Sequence, residues 1–241
     1  MPYVDGFVTP VPTANKEAYT AHATEAAELF RSLGATRMVE AWGDDVPDGK
    51  LNDLKKAVQL KPEETVLFSW IEYPDAATGK AAGEKMMNDP RAEEMMKDMP
   101  FDGSRMIYAS FDSILEQGAG GKPGYVDGFV VAVPQGKKDA YVAMAEKAAG
   151  MFEKHGALRV VETWSLDIPE GKVTDYNRAT LREDGEHVVY SWIEWPDKGT
   201  RDSAWEKIMA DPGMQPGDDM PFDGKRMMWG GFVPVLDEKL A

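Results

Sequence analysis

Cysteine is missing from this chain altogether. Its absence excludes disulfides, thiolate nucleophiles and cysteine-ligated zinc together. Histidine is scarce, with only His22, His155 and His187. Positive charge is also in deficit: 27 Lys and Arg against 42 Asp and Glu, a net charge of −15. The deficit is shared evenly, since residues 1–122 carry 13 basic and 21 acidic side chains and residues 123–241 carry 14 and 21. Nucleic-acid binding rests on basic clusters that neutralise phosphates, and no Lys/Arg stripe is present, so no nucleic-acid partner is expected. The same physics argues against anionic membrane surfaces. No apolar run approaches the ~18 residues of a membrane span, so no membrane partner is expected. The start, Met1-Pro2-Tyr3-Val4-Asp5, has no basic segment leading into an apolar one. A signal peptide is therefore not expected, and a cytoplasmic location is.

What the chain does have is a duplication. Tyr3-Val4-Asp5-Gly6-Phe7-Val8 returns as Tyr125-Val126-Asp127-Gly128-Phe129-Val130. Ser69-Trp70-Ile71-Glu72 returns as Ser191-Trp192-Ile193-Glu194, and Met99-Pro100-Phe101-Asp102-Gly103 as Met220-Pro221-Phe222-Asp223-Gly224. The copies align at a shift of 122 from Tyr3 to about Pro90, and at a shift of 121 from Asp98 to Leu115. The unit is far longer than a solenoid repeat, so it reads as a duplicated domain. A first domain over 1–116 and a second over 125–241 are expected, joined by a Gly-rich linker at 117–124.

Within the first copy, Tyr3 to Val11 reads as a strand. Tyr19, Ala23, Ala26, Phe30 and Leu33 recur at helical spacing, predicting a helix over 16–33 that Gly34 ends. Strands follow at 36–42 and 65–73, with a further short strand at 55–60 forming a hairpin arm. A second helix over 76–88 is stopped by Asp89-Pro90. A Met-rich helical segment and a last strand over 104–111 complete the copy. The order β-α-β-β-α-β is the ferredoxin-like plan, in the α+β class. Alternation sorts the strands into two faces. Val4, Gly6, Val8, Val39, Ala41, Leu67 and Ile71 are small or aliphatic and are expected under the helices. Tyr3, Asp5, Phe7, Met38, Glu40, Trp42, Phe68, Trp70 and Glu72 are expected on the other face. So large an aromatic face calls for a cover, and the second copy supplies one. Two sheets packed face to face, as an intrachain pseudo-dimer in a monomeric chain, are the expected architecture.

The opening Tyr-Val-Asp-Gly-Phe, the middle Phe68-Ser69-Trp70-Ile71 (Tyr190-Ser191-Trp192-Ile193 in the second copy) and the closing Met-Pro-Phe-Asp-Gly-x-Arg-Met resemble the YbaA-like bacterial family, domain of unknown function 1428. The resemblance covers both copies. It implies the dimeric α/β-barrel superfamily, with this chain fusing what that family assembles from two single domains. It brings no catalytic residue with it.

The candidate site residues are the carboxylates and indoles of the aromatic face: Asp5, Glu40, Trp42, Trp70 and Glu72, repeated as Asp127, Glu162, Trp164, Trp192 and Glu194. Carboxylates between apolar walls describe a ligand pocket, and desolvation raises their pKa toward that of a general base. In the competing reading they pair with Arg37, Arg105, Arg159 and Arg226 and hold the sheets in register. Arg105 and Arg226, in the closing motif, read as turn residues able to reach Asp5 or Glu72, or as anion anchors at a pocket mouth. No histidine is preserved between the copies, so no metal site is expected. The methionines read as adaptable core filler. The expected function is binding of a small molecule in pockets between the sheets, with no cofactor. The alternatives are a cofactor-free enzyme using Glu40 and Glu162 or Asp5 and Asp127 as base, and a filled barrel serving only as scaffold.

Overall fold

The computed structural model describes residues 2–211 and 220–240. The step in the alignment after Pro90 has its second-copy counterpart outside the described residues. The first copy supplies strands β1 (Tyr3–Pro12), β2 (Arg37–Asp45), β3 (Glu64–Tyr73) and β4 (Ile107–Gln117). The second supplies β5 (Tyr125–Pro134), β6 (Arg159–Ser165), β7 (Glu186–Trp195) and β8 (Met228–Lys239). The helices are α1 (Lys16–Ser32), α2 (Leu54–Ala57), α3 (Ala76–Met86), α4 (Pro90–Met95), α5 (Lys138–Lys154), α6 (Tyr176–Ala179) and α7 (Lys198–Ala210).

The strands close into one antiparallel barrel, in the order β1-β3-β2-β8-β5-β7-β6-β4. Each copy's sheet has the ferredoxin-like order, and the two sheets are also bonded edge to edge, β2 to β8 and β4 to β6. Closure removes the free edges that two stacked sheets would leave. Each seam carries a register shift, at Glu40/Ala41 in β2 and at Ser113/Leu115 between β4 and β6. Such bulges bend a strand, as a barrel wall requires. The long last strands cross over: Leu236 and Leu240 join the helix-side core of the first copy, and Ile114 and Leu115 that of the second.

Local sequence explains most elements. The α1 stripe buries Tyr19, Ala23, Ala26, Ala27 and Leu29, and Gly34 ends it at φ +98°. Gly156 ends α5 at φ +104°; both backbones are left-handed, which glycine adopts without a Cβ penalty. Asp75 and Asp197 cap α3 and α7 by accepting the backbone N–H of Thr78 and Thr200. Two expectations need correction. The segment at 55–60 is not a strand: Asp53 accepts from the Lys56 N–H and starts the short helix α2, which buries Leu54 and Ala57 in the barrel core. The last strand begins at Ile107, because Asp102 first caps a 3-10 turn over Gly103–Arg105.

The face assignment also needs correction. Alternation within each strand is as read, but the first two strands were matched to the wrong face of the third. Val4 lies opposite Glu72, Gly6 opposite Trp70 and Val8 opposite Phe68, and residues directly opposite share a face. Val4, Val8, Val39 and Ala41 therefore fill the barrel interior together with Phe68 and Trp70. Tyr3, Met38, Leu67 and Ile71 lie under the helices. Size misled the sequence reading: small residues on β1 and β2 make room for large ones on β3.

That interior is an aromatic stack. Phe68 and Tyr190 lie 4.3 Å apart and 6° from parallel, and Trp70 and Trp192 lie 4.5 Å apart at 28°. Two of these rings each lie against a glycine. A Cβ on Gly6 would stand 2.9 Å from the Tyr190 ring, and one on Gly128 2.7 Å from the Phe68 ring. Gly128→Ala is therefore expected to lose about 1–3 kcal/mol by overpacking. Adding Phe68→Leu should recover part of that loss in urea denaturation; no recovery would refute the steric account.

Candidate functional site

Two cavities lie between a sheet and its helices, on the outside of the barrel. The first, of about 300 Å³, lies under α1, α3 and α4, with Phe7, Phe30, Met38, Met95 and Phe101 among its walls. The second, of about 540 Å³, lies under α5 and α7, with Phe129, Met144, Phe152 and Trp205 among its walls. They occupy equivalent places in the two copies. The expected position between the sheets is corrected by this geometry, because there the aromatic stack fills the space.

Each cavity has one carboxyl on its wall. Glu40 is 7% exposed. Tyr19 Oη donates to Glu40 Oε2 at 2.7 Å, and Ser69 Oγ donates to the same oxygen. In the second copy Tyr141 Oη donates to Glu162 Oε2 at 2.6 Å, with Ser191 also bonded to that carboxyl. The pieces come from three elements. Glu40 and Ser69 face each other across the β2–β3 ladder, and α1 lays Tyr19 over them. Burial pushes the Glu40 carboxyl up to about 7, against the opposing bonds from Ser69 and Tyr19. Burial pushes Glu162 up to about 7 as well, against Tyr141 and Ser191. Burial is the largest influence on both carboxyls, and it disfavours their charged form. A carboxyl poised near neutrality in a dry pocket can donate a hydrogen bond, accept one, or move a proton.

The remaining candidates separate into other groups. Glu72, Glu194, Trp70 and Trp192 do come together, at one end of the barrel, in a buried ion network with pseudo-twofold symmetry. Arg159 donates to both oxygens of Glu72 at 2.7 and 2.8 Å, and Arg37 to both of Glu194 at 2.8 and 3.1 Å. Each pair joins opposite copies. Trp70 and Trp192 donate their indole N–H to Glu72 and Glu194. Asp237 and Glu116 hold the outer faces of the two guanidiniums. Burial disfavours the charge on Glu72, but Arg159 and Arg37 outweigh it and hold the carboxyl below its ordinary value. Of the four arginines expected as partners, Arg37 and Arg159 are the ones that bond these carboxylates.

Asp5 and Asp127 sit under the helices and have diverged. Burial pushes Asp5 up to about 6, and its donors are Ser110 and Tyr73. Asp127 is fully buried and accepts from Arg201 at 2.8 Å, Trp195 at 2.9 Å and Trp205 at 2.8 Å. Positions 79 and 83, the first-copy counterparts of Arg201 and Trp205, are glycines. Trp42 and Trp164 stand beside the site rather than in it: Trp42 meets the Tyr19 ring edge-on, and Trp164 stacks on His187.

Arg105 reaches neither Asp5 nor Glu72. It bonds both oxygens of Glu64, at 2.8 and 2.6 Å, and Asp102 at 2.8 Å. Glu64 and Glu72 lie at opposite ends of β3, about 26 Å apart at strand rise. Arg226 repeats the arrangement with Glu186 at 2.8 and 2.7 Å. Both arginines clamp a turn to a strand. Tyr19, Ser69 and their partners Tyr141 and Ser191 were missed as site residues. Their signal was repetition in step with Glu40 and Glu162, hidden because Tyr19 fits a helix stripe and Ser69 a strand motif.

A family profile described as "Protein of unknown function (DUF1428)" matches residues 2–103 and again 124–224. The uncharacterized protein YbaA of Escherichia coli K12 is 59% identical over 115 residues, which span 47% of this chain and 98% of YbaA. YbaA of Shigella flexneri matches to the same extent, at 59% over 115 residues. Among solved structures, a proposed monooxygenase from Lactobacillus acidophilus superposes with a TM-score of 0.59 at 9% identity, covering 100% of this chain and 97% of that one. One from Fusobacterium nucleatum gives 0.56 at 9% identity, over 99% and 94% of the two chains. At such identities the likeness concerns the fold, which is the ferredoxin-like barrel.

Proposed function

This chain belongs to the DUF1428 family, proteins of unknown function, and carries its domain twice; from that premise we propose that it binds a small, mostly apolar molecule in each helix-side cavity, with Glu40 and Glu162 as polar anchors. One observation carries the reading: the same Tyr–Glu–Ser group, Tyr19–Glu40–Ser69 and Tyr141–Glu162–Ser191, opens onto an apolar cavity in both copies. Cavities of about 300 and 540 Å³ fall at the small end of the usual range for ligand sites. Leaving a carboxyl half-satisfied in such a place costs stability, which a structural role would not require. The barrel interior, filled by its aromatic stack, acts as the scaffold. The protein works as a single chain in the cytoplasm. The monooxygenase descriptions of proteins with this fold enter by analogy alone.

The test is to fill the cavities. Ala26 and Ala148 are aligned and line the two walls. Nile red, a neutral fluorophore, should bind the wild-type protein, lose one site in Ala26→Leu or Ala148→Leu, and lose both in the double variant. Native mass spectrometry of the purified protein should show any retained molecule leaving with the same substitutions. Dye binding unchanged in the double variant would end this reading.

The poise of Glu40 and Glu162 near pH 7 favours a second reading, in which the carboxylate takes a proton from the bound molecule as a general base. Binding is common to both readings; turnover belongs to the second.

A further inference from the structure

The described walls of the first cavity have a one-sided chemistry. Its ionisable wall residues are Glu40, Tyr19 and His22, with no lysine or arginine among the described residues that line it. Burial holds His22 below its ordinary value, against the pull of Glu25. The two donors to Glu40, Tyr19 and Ser69, both meet Oε2. Among the described residues none donates to Oε1. Glu40 stands on the cavity wall, so this oxygen is the one open to a ligand's donor. A carboxylate with one free oxygen and no countercharge gains most from a ligand that brings both a donor and a positive charge.

The walls and the surface suit the same ligand. Phe7, Tyr19, Phe30 and Phe101 present rings, and Met38, Met86, Met95, Met96, Met99 and Met106 present polarisable thioethers. The net charge of −15 attracts cations and repels anions. Glu25, on the turn of α1 beside His22, adds to that bias; the aligned residue of the second copy is Lys147, on the wall of the larger cavity.

We propose that the first cavity takes lipophilic ammonium ions: an apolar chain or ring bearing one protonated amine, which donates to Oε1 of Glu40 while the apolar part lies among the methionines and rings. This names the ligand class of the binding site read above and rests on that reading. Amine binding also shifts the carboxyl toward its ionised form. The groups that face Glu40 are Tyr19 and His22 from α1 and Ser69 from β3, with Tyr190 of β7 acting on it through the sheet. Of these, Glu40 is the group whose folded value, about 7, lies at the pH of the test. Octylamine, already protonated there, should therefore release a proton from the protein on binding.

The experiment uses the full chain carrying Ala148→Leu, so that the first cavity alone is read. Octylammonium, octanol and octanoate compete against Nile red at pH 8. Octylammonium is expected to displace the dye at about tenfold lower concentration than octanol, with octanoate weakest. Glu40→Gln is expected to weaken octylammonium about tenfold and octanol less than about threefold. Calorimetry in phosphate and Tris at pH 7 should show proton release with octylammonium and none with octanol. That readout needs no substitution at Glu40, so a misfolded variant would not blunt the test. Octanol or octanoate binding as tightly as the amine, or no proton release, would overturn the ammonium assignment and leave an apolar binding site standing. Failure of octylammonium to displace the dye would likewise overturn the ammonium assignment, whereas dye binding that ignores Ala26→Leu would overturn the binding reading itself.

Discussion

Replacing Glu40 and Glu162 together by glutamine is expected to make the protein more stable at pH 8, although each substitution touches a buried, hydrogen-bonded group. Both carboxyls rise from an ordinary value of 4.5 to about 7 on folding. Between those values the native state holds protons that the unfolded chain has lost. The stability from this source is full below pH 4.5 and drains away as pH climbs through 7. At 1.36 kcal/mol per pKa unit, the charged form costs at most roughly 3 kcal/mol per site above pH 7. The cost is smaller at Glu162, which keeps more exposed surface than Glu40. Glutamine has no charge to bury. Its carbonyl can accept from Tyr19 and Ser69, and its amide can face the cavity.

Urea denaturation of wild type and the double variant at pH 5 and pH 8 measures this directly. The curves should lie close at pH 5 and separate by several kcal/mol at pH 8, with the variant the more stable. Asp5, pushed up to about 6, leaves a residual slope in both proteins. A variant less stable than wild type at pH 8 would show that the bonds to the carboxylate outweigh its desolvation, and would remove the argument that these groups are held for function. The same variants divide the two functional readings. If the carboxyls are general bases, any turnover found will rise with pH through about 7 and disappear in the double variant while affinity for a neutral ligand persists.

The second large effect has the opposite sign. Arg159→Ala should cost about 3–5 kcal/mol, because it leaves Glu72 buried and charged without its bidentate partner. Glu72 is 6% exposed, and Arg159 lies at 2.7 and 2.8 Å from its two oxygens. Removing the pair together, as Arg159→Met with Glu72→Leu, should cost far less, since apolar groups of similar volume need no countercharge. Denaturant titration of the two variants checks the contrast. A loss below about 1 kcal/mol for Arg159→Ala would mean that water reaches this end of the barrel. The pH signatures also differ. Glu72 is held below its ordinary value, so its contribution is present above pH 4.5 and is lost as pH falls through its lower folded value. Acid thus weakens the ion network while relieving the two cavity carboxyls.

How much of this was legible before the chain was folded follows from which interactions are local. The helix over Lys16–Ser32 was readable because Tyr19, Ala23 and Ala26 recur within one element and Gly34 stops it. The duplication was readable as text. The expected strand at 55–60 gives way to a helix over Leu54–Ala57 because that helix rests on a capping bond from Asp53 and on burial against the barrel core, which no local pattern reports. Arg105 was assigned the wrong partners because Glu64 is 41 residues away, and nothing in the motif points to it.

From its sequence alone the protein was committed to two copies of one ferredoxin-like domain, to alternating faces on every strand, and to a repeated set of carboxylates and aromatics. These depend on period and identity, which a linear chain displays. Tertiary structure alone decided which face of each strand points inward. That depends on cross-strand register: Gly6 and Gly128 admit the rings of Tyr190 and Phe68, so the large residues of one copy fill the barrel against the small ones of the other. With the interior filled, Glu40 and Glu162 fall on the helix side. Only there do Tyr19 and Tyr141 meet them, and only there does burial push their carboxyls up to about 7.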